Sequence, residues 1–143
     1  MKALVLALCL AGLSTGAIAQ TLALKGPAGQ TATVGVADLA SLPRVSFAFD
    51  SHGETHVYEG PLLIDVLARV GTPTGKAIHG AEMADANRII LADKADGAPL
   101  GGKDGAFKVV AEGDLRPARS ARMIREIEVL RLAKPDGAAA HQH

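Results

Sequence analysis

Three arginines stand at every third position, Arg116, Arg119 and Arg122, within the stretch Gly113-Asp114-Leu115-Arg116-Pro117-Ala118-Arg119-Ser120-Ala121-Arg122. A guanidinium is a planar fork of donors that can grip a phosphate or carboxylate through two parallel hydrogen bonds. A spacing of three puts the groups on one side of a tight 3₁₀-like turn, with Pro117 stiffening the chain between them. The same charges could be met instead by Glu112, Asp114, Glu126 and Glu128, as an ordinary solvated ion-pair surface. Both readings stand at this level.

The other residues capable of chemistry form weaker patterns. His52 and His56 flank an expected hairpin turn and could meet a metal or an anion. Their spacing is not that of a helical ligand pair, and hairpin polarity accounts for them more simply. His141 and His143 alternate on a terminal tail. Asp93, Asp96 and Asp104 do not have the alternating oxygen spacing of a calcium loop, and turn formation explains them. Ser41, Ser46, Ser51 and Ser120 lack the Gly-x-Ser-x-Gly setting of an activated nucleophile. Tyr58, the sole tyrosine, is expected on a strand with its hydroxyl at the surface. No residue is assigned a catalytic role or a metal.

These groups belong to a chain of 143 residues with 15 basic and 15 acidic side chains. That balance excludes a general nucleic-acid or membrane-surface binder. Tryptophan is absent and aromatics are few, against a base-stacking or carbohydrate platform. Residues 1–19 read as a cleavable secretory signal. Lys2 is the basic start, Ala3 to Leu13 the short apolar stretch, and Ala17-Ile18-Ala19 the small-x-small cleavage motif. Gln20 is then the expected mature N-terminus, in the periplasm or outside the cell. With no paired arginines, the signal reads as the general secretory type. The single cysteine, Cys9, lies inside it. The mature chain therefore has no thiolate to serve as nucleophile or metal ligand, and no disulfide.

Residues 20–133 are expected to form one domain, and residues 134–143 a disordered tail. Thr21 to Leu24 and Gln30 to Val34 read as strands, and Val36 to Leu42 as a short helix stopped by Pro43. Val45 to Phe49 and Thr55 to Tyr58 form the clearest hairpin, with Gly53 at its turn. A helix is expected from Pro61, carrying the stripe Leu62, Leu63, Val66, Leu67 and Val70, with an Asp65–Arg69 pair on its wet side and Gly71 at its end. Arg88 to Ala92, Phe107 to Val110 and Ile127 to Leu132 complete the strands. Asp96-Gly97 is a turn, and Gly101 to Gly105 a flexible loop.

In order, Val36 to Pro43, His52-Gly53, Tyr58 to Leu62, Leu91 to Leu100 and Gly113 to Arg122 resemble blocks of the molybdopterin-binding domain of sulfite-oxidase-like oxidoreductases, in its small exported bacterial form. The resemblance implies an α+β fold of mixed, mainly antiparallel β-sheet with short helices. It also implies a pterin-phosphate cradle at Arg116, Arg119 and Arg122, with His52 beside it. Family enzymes bind molybdenum through a cysteine, which the expected mature chain lacks. They carry an aromatic residue where Ser120 stands, and a longer insert before the Leu91 block.

The expected function is a degenerate, non-catalytic periplasmic binding or accessory module with an anion site at the arginine segment. Its implied partners are a small anion or pterin phosphate and a periplasmic protein, with no nucleic acid and no membrane after cleavage. No cofactor is expected from the residues, and molybdopterin only through the resemblance. Two alternatives remain: a molybdenum–pterin oxidoreductase or its subunit, and a fragment that needs a partner to close its sheet.

Overall fold

The computed structural model describes residues 20–51, 53–73, 88–113 and 120–131. His52, Arg116 and Arg119 lie outside these residues, as do residues 1–19, where the signal is expected, residues 74–87, and residues 132–143, which include the expected tail. The fold is α+β with predominantly antiparallel pairing and short helices.

Strand β1 (Thr21–Lys25) pairs antiparallel with β2 (Thr31–Gly35), with Leu24 opposite Ala32. Its alternating pattern buries Leu22 and Leu24 on one face. The chain turns directly into α1 (Val36–Ala40), where the Asp38 carboxylate accepts the Gly35 N–H at 2.8 Å, satisfying one donor at the helix start. Strands β3 (Arg44–Ser51) and β4 (Glu54–Pro61) form the expected hairpin, longer at both ends than the apolar alternation suggested. Gly53 supplies a positive φ of 84° at the turn.

The helix expected from Pro61 is shorter and begins later. Pro61 is the last residue of β4, and Leu62 bridges to Ile90 instead of joining the helical stripe. Helix α2 (Leu63–Leu67) runs into a 3₁₀ turn over Ala68–Val70, closed by Gly71 at φ 73°. Val66, Leu67 and Val70 are buried, so the inward face is as expected. The Asp65–Arg69 pair is not formed. The Arg69 guanidinium, on the 3₁₀ turn, reaches the Asp38 carboxylate of α1 at 3.9 Å and the Asp38 carbonyl at 3.3 Å.

Strand β5 (Ile89–Ala92) pairs antiparallel with β8 (Lys108–Ala111). This pair separates two apolar clusters. Leu91, Phe107 and Val109 face Leu22, Leu24, Val34, Leu39 and α2. Ile90, Ala92 and Val110 face Phe47, Phe49 and Tyr58. A strand buried on both sides reads as a continuous apolar run, which is why the Arg88 to Ala92 segment was legible.

Beyond β5 the chain continues as β6 (Lys94–Ala95), beside β4, and β7 (Ala98–Pro99). Asp96 (φ 51°) and Gly97 (φ 80°) join these two strands with both central residues left-handed, the backbone of a type I′ turn. Glu59 pairs with Lys94, while Leu62 bridges to Ile90. The β4 side spends Gly60 and Pro61 over this interval and the other side spends Leu91, Ala92 and Asp93. The extra residue is a β-bulge, and the Asp93 N–H donates to Glu59 O at 3.1 Å. Gly60 is required here: a Cβ would lie 2.0 Å from Leu91 O.

The last strand is shorter than expected. Strand β9 (Glu126–Glu128) pairs parallel with β1, and Leu130 is exposed beyond it.

Candidate functional site

Of the arginines singled out by sequence, the described residues contain Arg122, which is exposed. The chain around it is fixed by backbone hydrogen bonds. The Val109 N–H donates to Ala121 O at 2.9 Å, the Met123 N–H to Asp104 O at 2.8 Å, and the Ala23 N–H to Arg125 O at 2.9 Å. Met123 has a positive φ of 54° and packs against Gly105, whose missing Cβ makes room for it. The segment leaving the arginines therefore passes over the 3₁₀ turn Gly102–Asp104 and settles beside β1.

This path borders a partly open cleft of about 410 Å³. Gln20, Thr21, Gly102, Phe107, Met123 and Arg125 are among the residues that line it. The lining includes Arg125, the two glycines Gly102 and Gly105, and the apolar residues Phe107 and Ile124. Such a space suits a small, partly polar ligand.

The local charge pattern favours an anion. Glu112 is held by Arg88, through Nε and Nη2, each at 2.5 Å. Arg88 pushes the Glu112 carboxyl below its usual range. Glu126 is held by Lys25 Nζ at 3.0 Å, and that pairing raises the lysine. Two of the four carboxylates that could have neutralised the arginine segment are thus committed to cations elsewhere.

His52 lies outside the described residues. His56 is engaged by two carboxylates and a ring. Its Nδ1 meets Asp96 Oδ2 at 2.7 Å, its Nε2 lies 3.5 Å from Glu54 Oε2, and it packs edge-on against Tyr58. The hydrogen bond to Asp96 raises the imidazole above its ordinary value. Asp96 is lowered, chiefly by the Val57 N–H donated to its other oxygen. Among the described residues, no three His, Cys, Asp or Glu side chains are placed to hold a metal ion. No helix among them is long and apolar enough to cross a membrane.

Two polar clusters were not foreseen. Tyr58 is not at the surface. It is 2% exposed, and its hydroxyl accepts a hydrogen bond from Lys108 Nζ at 2.8 Å. Lys108 is itself buried and lies 3.4 Å from Asp104 Oδ1. The signal for it was a lysine inside the apolar run Phe107-Lys108-Val109-Val110, at a strand position facing the core. Asp93 is likewise not a turn residue in solvent. Its buried carboxylate accepts two hydrogen bonds from Arg44, one at 3.2 Å, while Arg44 Nε donates to Glu59 Oε1 at 2.5 Å. Asp93 raises Arg44, and Arg44 lowers Glu59. An acid directly after the buried run Ile89-Ile90-Leu91-Ala92 was its only sequence trace. Ser120 Oγ is shielded from solvent and has no hydrogen-bond partner among the described residues.

No family model matches the chain, and no curated protein matches it.

Proposed function

We propose that the chain is an exported, non-catalytic module similar to the molybdopterin-binding domain, working in the periplasm as a binding or accessory protein. Its ligand is a small anion, of which a pterin phosphate is one form, held at the cleft lined by Arg125, three residues on from Arg122. The observation that carries this reading is the commitment of Glu112 and Glu126 to Arg88 and Lys25. With those acids occupied, Arg122 and Arg125 lead from a cation-rich segment toward a cleft with little local countercharge.

The cleft's composition supports the same reading. Gln20 lies on its wall. Cleavage after Ala19 would set the new α-ammonium there, adding a second cation beside Arg125. The metal half of the family's cofactor finds no support, since Cys9 is the only cysteine and belongs to the proposed signal. Residues able to hold a phosphate are present, and residues able to hold molybdenum through sulfur are not.

Calorimetric titration of the purified chain with inorganic phosphate and sulfate tests the site. Saturable binding is expected, weakened about tenfold by Arg122→Ala or Arg125→Ala, the usual value of one charge-assisted contact. Binding unchanged in both variants would reduce the segment to a charged surface. Metal and pterin analysis of protein recovered from the native periplasm tests the non-catalytic part. Stoichiometric molybdenum with an oxidised pterin would overturn it in favour of an oxidoreductase or its subunit.

A further inference from the structure

The two edges of the four-stranded sheet β3-β4-β6-β7 are finished differently. Strand β7 is two residues long and ends in Pro99, which blunts that edge against pairing. Strand β3 is eight residues long and contains no proline, lysine or glycine. Among the described residues, no backbone group pairs with its outer side.

Hydrogen-bond parity determines which groups that edge presents. Val57 O and Glu59 O accept from Asp96 and Asp93, so these β4 residues point toward β6. Tyr58 and Gly60 must then point toward β3, where they pair with Phe47 and Val45. The remaining β3 residues, Arg44, Ser46, Ala48 and Asp50, turn their N–H and C=O groups outward. Ser46, Ala48 and Asp50 are exposed, and none is bulky.

We propose that β3 pairs antiparallel with β3 of a second copy of the chain, forming a two-fold dimer with one continuous eight-stranded sheet. One register uses all four outward residues: Ser46 opposite Ala48 of the second copy, and Arg44 opposite Asp50 of the second copy. Shifting by two residues in either direction strands one outward residue of each chain. The chosen register also sets opposite charges face to face at both ends of the ladder. Asp50 offers its free Oδ2, since Thr55 uses Oδ1. Arg44 spends one hydrogen on each nitrogen internally, so Nη1 and Nη2 each retain a donor. The symmetry makes the contact self-complementary, so it closes at two copies and does not propagate.

Sedimentation equilibrium of the full chain across a concentration series tests this inference. A mass rising to twice that of one chain is expected. Asp50→Arg opposes two guanidinium groups at each end and should weaken the dimer at least tenfold, while the thermal midpoint of the diluted monomer falls only by the loss of the exposed Thr55 hydrogen bond, as it does in Asp50→Ala. Ala48→Pro removes one outward N–H and should also give monomer. Should that variant fail to fold, cysteine pairing decides the register. Chains carrying Ser46→Cys, mixed with chains carrying Ala48→Cys, should cross-link to each other on oxidation in preference to themselves. A monomer at every concentration, a dimer indifferent to Asp50→Arg, or preferred self-cross-linking of Ser46→Cys would each overturn the proposal.

Discussion

Arg44 on β3 and Asp93 at the bulge after β5 lie 49 residues apart in sequence and are joined by two parallel hydrogen bonds in the fold. The Asp93 side chain is 1% exposed and that of Arg44 22%, so the carboxylate depends on this one guanidinium for its charge balance. Arg44→Ala would leave a buried anion without its cation and should cost about 3 kcal/mol in urea denaturation. Asp93→Asn keeps the volume and removes the charge, and should cost less, about 1 to 2 kcal/mol. A loss below about 1 kcal/mol for Arg44→Ala would mean that solvent compensates the carboxylate.

Gly60 and Gly97 should respond differently to alanine. At Gly60 the new Cβ would sit 2.0 Å from Leu91 O, a backbone atom within the bulge that cannot step aside. Gly60→Ala should cost about 3 kcal/mol or prevent folding. At Gly97 nothing lies within 4 Å, and the cost is only that of holding alanine at φ 80°. Gly97→Ala should lose about 1 kcal/mol. Equal losses would contradict the bulge.

Lys108 and Tyr58 should show coupling in a double-mutant cycle. Tyr58→Phe removes the hydroxyl that accepts from a buried ammonium and should cost about 1 to 2 kcal/mol. Lys108→Met removes the charge together with its need for a partner, and should be milder. In the double variant the cost of Tyr58→Phe should largely vanish. Additive losses would show that the two groups do not support each other.

The His56–Asp96 pair predicts a stability window in pH. Asp96 raises the His56 value above its ordinary 6.5, so the folded state favours imidazolium. That contribution is complete below 6.5 and is lost as pH rises through the raised value. Asp96 is lowered from 3.8, so its own share is present above 3.8 and lost as pH falls through the lowered value. The thermal midpoint difference between the protein and His56→Gln should be largest between these limits and shrink above neutral pH. A difference growing with rising pH would reverse the assignment.

The sequence by itself determined the strands whose burial leaves a local pattern. β1 alternates, the β3–β4 hairpin alternates around Gly53, and β5 is a continuous apolar run. Each signal is a property of neighbouring residues, so it survives without knowledge of the fold. Asp96-Gly97 was equally legible, because a type I′ turn needs left-handed residues and these two tolerate it. The mainly antiparallel α+β class was implied by the resemblance of the ordered blocks, and the fold has that class.

Only the tertiary structure decided what the polar residues do. Asp93, Tyr58 and Lys108 read locally as turn, surface and strand positions. Their burial depends on a one-residue bulge between β4 and β5 and on β8 packing face to face with the hairpin. Arg69 meets Asp38, 31 residues away in sequence, and not Asp65, which i,i+4 spacing cannot anticipate. Glu112 and Glu126 are near the arginine segment in the chain, but in space they pair with Arg88 and Lys25, which lie far from them in sequence. Ion pairs follow distance through space, and that distance is set by the packing of the whole chain.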